Sequence, residues 1–222
     1  MESYIKVVAE SLKRFSIGEY VRFKEIEKVL PVCVEGYTGK LLDVGCGSCK
    51  FKPIAELTGY KYYGLDSNPP TVTSENIIRD NAEKIQSINS SSMDIVVASD
   101  IIEHLDSIVD FVNAAYRVLK TNGKLIIHVP NLDSKHILSE FPDNADHKIK
   151  GLTSEQLRSY LETRFGNSSI IRTFTSYECL AWEIAYLGSQ GRLQPSMLAN
   201  LLTFDEIQYQ SLGFLGVAKK CE

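Results

Sequence analysis

Apolar positions along this chain keep two rhythms. Some form short, mostly apolar runs, as at residues 41–44, 60–65, 93–98 and 124–129, with a shorter run at 76–79. Such runs read as strands, and 124–129 alternates so little that it suits a parallel strand buried on both faces. Other apolar positions recur at three- and four-residue steps and read as helices. Residues 2–15 align Tyr4, Ile5, Val8, Leu12 and Phe15. Residues 20–30 turn Val21, Phe23, Ile26 and Val29 or Leu30 inward and stop before Pro31. The clearest helix is 106–119, with Ile108, Val109, Val112, Ala115, Tyr116 and Leu119 on one face and Asp106 as its predicted N-cap. Lys120-Thr121-Asn122-Gly123 then reads as a turn. Shorter helices are predicted at 51–57 and 82–88. Another spans 153–161, opened by Thr153 with Gln156 completing a capping-box pattern. Two more strands, 167–175 and 212–218, flank a stretch with helical segments at 179–187 and 195–202. Strands alternating with helices predict an α/β domain built on a mostly parallel sheet.

Composition narrows this picture. At 222 residues, 44% of them hydrophobic, the chain suits one domain with a full core. Its formal charge of −4 and lack of a long basic run argue against a large nucleic-acid footprint and favour a small or neutral substrate. No apolar stretch approaches the ~20 residues of a membrane helix. The cysteines, Cys33, Cys46, Cys49, Cys179 and Cys221, are spread out, and the amino terminus has no signal-peptide pattern. Reduced thiols in the cytoplasm are therefore expected.

The candidate chemistry gathers at strand ends. The first strand runs into Asp43-Val44-Gly45-Cys46-Gly47-Ser48-Cys49. Gly45 and Gly47 permit a tight turn and close approach of a ligand to the main chain. A strand, a glycine turn and a helix start form the usual nucleotide cradle of α/β proteins. The second strand ends at Asp66, where a carboxylate can accept from both ribose hydroxyls of an adenosine. The third ends at Asp80-Asn81-Ala82, and the fourth at Ser99-Asp100-Ile101-Ile102-Glu103-His104-Leu105.

Taken in order, Leu42-Asp43-Val44-Gly45-Cys46-Gly47-Ser48, Gly64-Leu65-Asp66, Asp80-Asn81-Ala82-Glu83, Asp94-Ile95-Val96-Val97-Ala98-Ser99 with Glu103-His104-Leu105, and Arg117-Val118-Leu119-Lys120-Thr121-Asn122-Gly123-Lys124-Leu125 resemble the class I S-adenosylmethionine-dependent methyltransferases. The nearest branch carries Glu-His-Leu after the fourth strand, and the resemblance covers residues 40–165. It implies a doubly wound seven-stranded sheet of order 3-2-1-4-5-7-6, with the last strand antiparallel. It implies S-adenosylmethionine as cofactor. The backbone of Gly45, Cys46 and Gly47 would hold its methionine end, and Asp43 would face its amino group directly or through water. Asp66, flanked by Ser67, would bind the ribose. Asp80 would accept from the adenine amino group, with backbone contacts from Asn81 and Ala82; Asp80 also suits a helix N-cap. Ser99, Asp100 and Ile101 would lie beside the methionine and sulfonium. His104 reads either as a general base or as a structural histidine closing the pocket, and His147 is the second catalytic candidate. No metal is implied.

With the resemblance over residues 40–165, the length suits a single methyltransferase domain across the whole chain, 1–222. Residues 1–36 would be amino-terminal helices serving as packing or as a lid. Residues 176–210 would be a helical insertion, suited to a pocket wall or to a homodimer contact. Two departures stand out. Cys49 replaces the third glycine common in the family, and the Pro69-Pro70 segment leaves room for about one helical turn after the second strand. The expected activity is methyl transfer to an oxygen, nitrogen or carbon of a small molecule: a metabolite, lipid or sugar. Two alternatives compete: a binding module that holds S-adenosylmethionine without turnover, and a thiol–disulfide redox centre at Cys46 and Cys49. The lone Cys-x-x-Cys is half a zinc site, and the glycine spacing does not match a nicotinamide dehydrogenase.

Overall fold

The uniform runs fall at the centre of the sheet because both of their faces are covered. The structure is a computed structural model that describes residues 17–31, 38–69, 76–132, 147–172 and 213–221. Strand β1, Lys40–Val44, pairs in parallel with β2, Lys61–Asp66, and with β4, Met93–Ser99. Strand β3, Ile77–Arg79, extends the sheet beyond β2, and β5, Leu119–Pro130, extends it beyond β4. Strand β7, Gly213–Lys219, runs antiparallel between β5 and β6, Ser168–Arg172. The resulting seven-stranded order is β3-β2-β1-β4-β5-β7-β6, as the resemblance implied.

Neighbouring residues of each strand point to opposite faces. On one face Leu41, Ile95, Val97, Ile126 and Leu215 meet helices α1, Ile17–Val29, and α2, Lys52–Leu57, through Phe23, Ile26 and Ile54. On the other, Leu42, Val96, Ala98, Leu125 and Ile127 meet helices α3, Ile108–Val118, and α4, Ser154–Phe165, through Phe111, Val112, Leu157 and Leu161. Helix α4 sits so close to β7 that a Cβ on Gly216 would lie 2.8 Å from Leu161. Among the described residues no helix is long and apolar enough to cross a membrane.

The capping box forms as predicted: Gln156 N–H donates to the Thr153 hydroxyl, and the Gln156 side chain accepts from Thr153 N–H. Helix α4 then outruns its predicted end and stops at Gly166, at φ 75°. Other boundaries shift for physical reasons. Helix α3 is capped by Ser107, not Asp106, because the amides of Asp106 and Ser107 both donate to the Glu83 carboxylate. Residues 82–88 form turns rather than the predicted helix. Asp80 accepts there from Asn81 N–H and Ser87 N–H, both at 2.7 Å, and buried Ile85 sits at φ 47°. Side-chain acceptors of this kind compete with helical bonding. The 120–123 turn lies inside β5, marked by Asn122 at φ 67° and a register shift opposite Met93 and Ile95. The helix expected at 2–15 and those at 179–187 and 195–202 lie outside the described residues.

Candidate active site

The glycine turn is held from both sides. Gly45 N–H and Cys46 N–H donate to the Leu65 carbonyl at 2.8 and 3.1 Å, closing the end of β1 against β2. Gly45 adopts φ 76°, and a Cβ there would stand 2.9 Å from Ile101, so the turn packs directly on the segment after β4. Asp66 ties two loops together: one carboxylate oxygen accepts from Gly47 N–H at 2.9 Å and the other from Asn68 N–H at 2.8 Å. A carboxylate offers about four acceptor directions, so Asp66 keeps capacity for further donors.

Beside Asp66 opens a cavity of about 180 Å³. From the predicted cofactor set, Gly45, Asp66, Ser67, Asn81, Ala82 and Ile101 line it, and so does His104. Leu65, Glu83, Leu105 and Asp106, which were not among the predicted site residues, complete the wall. Glu83 had a usable signal, since it closes the Asp80-Asn81-Ala82-Glu83 motif. The others follow from where two loops meet.

The remaining predicted cofactor residues do not line the cavity. Asp43 is buried and accepts from the Tyr62 hydroxyl at 2.6 Å. Burial, opposed by that bond and reinforced by the charge of Asp66, pushes its carboxyl up to about 7. Asp80 spends its carboxylate on the backbone of its own loop. Cys46 is buried beneath the turn, and Gly47 contributes its amide to Asp66. The Ser99 hydroxyl oxygen is buried without a hydrogen-bond partner. Asp100 lies at the end of β4 at φ 53°, 2.9 Å from His128 and 2.7 Å from the Arg22 guanidinium on α1. Burial raises its pKa, but the bond and charge of His128 and the charge of Arg22 outweigh burial and hold it below the ordinary value. Tyr62, Arg22 and His128 carried no signal in the sequence, because sheet register and helix docking bring them to these partners.

His104 ends the 3-10 turn Ile102–His104, and its ring meets that of His147 edge-on, with centroids 4.6 Å apart. Glu103, in the same turn, is buried, and burial with the added charge of Asp100 pushes its carboxyl up to about 7. The two thiols of the redox alternative lie 3.9 Å apart. Burial, with the charge of Asp43 adding to it, pushes the Cys46 thiol up. A redox centre needs the opposite shift, since the thiolate is the reactive form. Cys46 thus lacks the activation that a dithiol centre needs.

Residues 42–127 match the family model described as a methyltransferase domain. No curated protein gives a significant sequence match. A S-adenosylmethionine-dependent methyltransferase from Archaeoglobus fulgidus superposes with a TM-score of 0.67 at 21% identity, covering 93% of this chain and 96% of that one. A putative S-adenosylmethionine-dependent methyltransferase from Listeria monocytogenes gives 0.60 at 17% identity, over 91% and 99%. Phosphoethanolamine N-methyltransferase 2 of Haemonchus contortus, solved with S-adenosylhomocysteine and phosphomonomethylethanolamine, gives 0.59 at 17%, over 89% of this chain and 51% of that one. At these identities the likeness is one of fold. Residues 42–127 thus match a methyltransferase domain, set in a seven-stranded sheet whose fold is that of S-adenosylmethionine-dependent methyltransferases of known structure.

Proposed function

We propose that this enzyme methylates a small-molecule acceptor in the cavity beside Asp66. Three features favour a small acceptor. The chain has a net charge of −4 without a long basic run. The Haemonchus contortus enzyme was solved with phosphomonomethylethanolamine. Two further neighbours carry titles naming small amines: a possible histamine N-methyltransferase from Thermotoga maritima and a putative sarcosine dimethylglycine methyltransferase from Galdieria sulphuraria.

The residues fit the cofactor. Asp66 has open acceptor directions at the cavity wall, suited to ribose hydroxyls, with Ser67 beside it. The close Gly45–Ile101 packing leaves backbone, not side chain, facing a ligand at the turn. Gly45, Cys46 and Gly47 would hold the methionine end through that backbone. Asn81 and Ala82 would flank the adenine, and Asp80 would act by fixing their loop. Asp43 would face the amino group across the turn, with Ser99, Asp100 and Ile101 alongside. When bound, S-adenosylmethionine supplies a methyl carbon on a sulfonium; the acceptor's lone pair forms the new bond, the old bonding pair stays on sulfur, and the acceptor's proton leaves. His104 lines the acceptor side in this reading and promotes loss of that proton, with His147 at its edge. Residues 1–36 would close over the site, and residues 176–210 would wall the acceptor pocket or join two copies. The thiols fit a reducing, cytoplasmic setting.

One observation carries this reading: a strand-end carboxylate with spare acceptor capacity, on a cavity that also reaches the His104 turn. Calorimetric titration with S-adenosylmethionine and S-adenosylhomocysteine, with NAD as control, is the test. Saturable binding of the first two and none of NAD is expected. Asp66→Ala should weaken that binding by at least about tenfold, since a hydrogen bond to a charged group is worth ~1.5–3 kcal/mol. An unchanged affinity in the variant would overturn the ribose assignment.

A further inference from the structure

Glu103 poses a problem that the cofactor site does not solve. Its side chain is 2% exposed, and its Oε2 has no hydrogen-bond partner. A buried carboxylate oxygen left without a partner is costly, and in a folded protein it points to an ion or ligand that completes it. Two imidazoles lie beside it. One ligand atom from each of Glu103, His104 and His147 can be chosen so that all three lie within 4.8 Å of one another.

His147 is held there by its own backbone neighbours. Lys148 N–H and Ile149 N–H donate to the Glu103 carbonyl at 2.8 and 3.3 Å. The Lys148 ammonium pairs with Asp106. These ties fasten the segment that begins at His147 onto the turn that carries the other two residues. A solitary structural histidine needs no such joint.

We propose that Glu103, His104 and His147 bind a divalent transition-metal cation, and that this cation takes the hydroxyl oxygen of the acceptor. The proposal departs from the expectation of a metal-free enzyme, and its second half rests on the small-molecule methyltransferase reading above. Two imidazole nitrogens and one carboxylate oxygen suit zinc, manganese, cobalt or iron; magnesium prefers an all-oxygen shell with several waters. Bonds near 2.1 Å set tetrahedral ligands roughly 3.4 Å apart, so the three donors draw in by about 1 Å on binding. Three protein ligands leave at least one position open, and His104 lines the cavity, so that position faces the substrate.

This arrangement selects the acceptor atom. A cation lowers the pKa of a bound hydroxyl: the proton goes to solvent, and the oxygen keeps its electron pairs. One pair stays on the metal and another remains to attack the methyl carbon. An amine would surrender to the metal the single pair it needs for attack. The acceptor class is therefore a small alcohol or phenol, unlike the amines named for the structural neighbours, and His104 promotes loss of its proton as a metal ligand rather than as a base itself.

The test uses the full chain stripped with a chelator. Cobalt(II) is titrated by calorimetry and by its visible absorption, and S-adenosylmethionine is titrated separately. One equivalent of cobalt should bind and develop ligand-field bands. His147→Ala and the milder His147→Gln should each weaken cobalt binding at least about tenfold while leaving S-adenosylmethionine affinity within about twofold; His–metal contacts of this kind dominate such sites. Glu103→Gln should do the same to cobalt. No cobalt binding, or binding unchanged in the variants, overturns the metal site and leaves the methyltransferase reading standing. Cobalt binding without S-adenosylmethionine binding would keep the site and sink its role in methyl transfer.

Discussion

Cys49 occupies a backbone position built for glycine, at φ 58°. A side chain in that left-handed region costs ~1–2 kcal/mol, partly offset by glycine's larger entropy loss of ~0.5–1 kcal/mol on folding. Cys49→Gly should therefore raise the unfolding free energy by up to about 1 kcal/mol. Urea denaturation with the slope held constant is the check; a destabilised variant would show that the Cys49 packing against Cys46 outweighs the strain. At this scale the sequence was informative where a residue's type is diagnostic by itself. Gly45 and Asp66 could be read because a glycine and an acid at strand ends have few other uses. Tyr62 under Asp43 and the Arg22–Asp100–His128 chain could not, because those partners meet only after the sheet and helix α1 are assembled.

Among the elements, the 80–88 segment best separates pattern from outcome. Its apolar spacing suits a helix, yet Asp80 gathers the amides of Asn81 and Ser87, and Arg117 reaches across to the carbonyls of Ile85 and Ile88 at 2.6 and 2.9 Å. Local periodicity cannot report an arginine from another element that holds turns in place. Asp80→Ala should release the Ser87 amide, raising its hydrogen exchange by at least about tenfold, and should weaken S-adenosylmethionine binding through the loop carrying Asn81 and Ala82. Unchanged exchange at Ser87 would mean that the loop keeps its shape without the carboxylate. The capping box of helix α4, by contrast, was fully legible, because Thr153 and Gln156 make all of its bonds within four residues.

For the whole molecule, the site falls outside the carboxyl ends of β1, β2 and β4, where a doubly wound sheet changes winding direction and leaves a crevice. The cost of burying acids there is global. Asp43 is pushed up to about 7 from 3.8, and Glu103 to about 7 from 4.5. Such groups hold protons in the fold that the unfolded chain releases, so their contribution is full below about pH 4 and is lost as pH rises toward 7. Asp100 acts in the opposite sense, and its contribution is lost only as pH falls below the usual carboxylate range. The cofactor-free, metal-free protein should thus melt at a lower temperature near pH 7 than near pH 5. Asp43→Asn should flatten that decline, as read from melting curves across the range; curves parallel to the parent would contradict the assignment. Sheet order was legible only through the family resemblance that the ordered motifs carry, because a motif at a strand end does not say which strand lies beside it.

That order has a consequence for how the chain is made. Among the described residues strand β6 bonds only to β7, and β7 leaves the ribosome after it. Until Gly213–Lys219 emerges, β6 is a finished strand with no berth, and β5 carries a bare, apolar flank. The nascent protein must shelter both edges for the whole time it takes to translate the stretch between them, and a message truncated there forfeits two strands, not one.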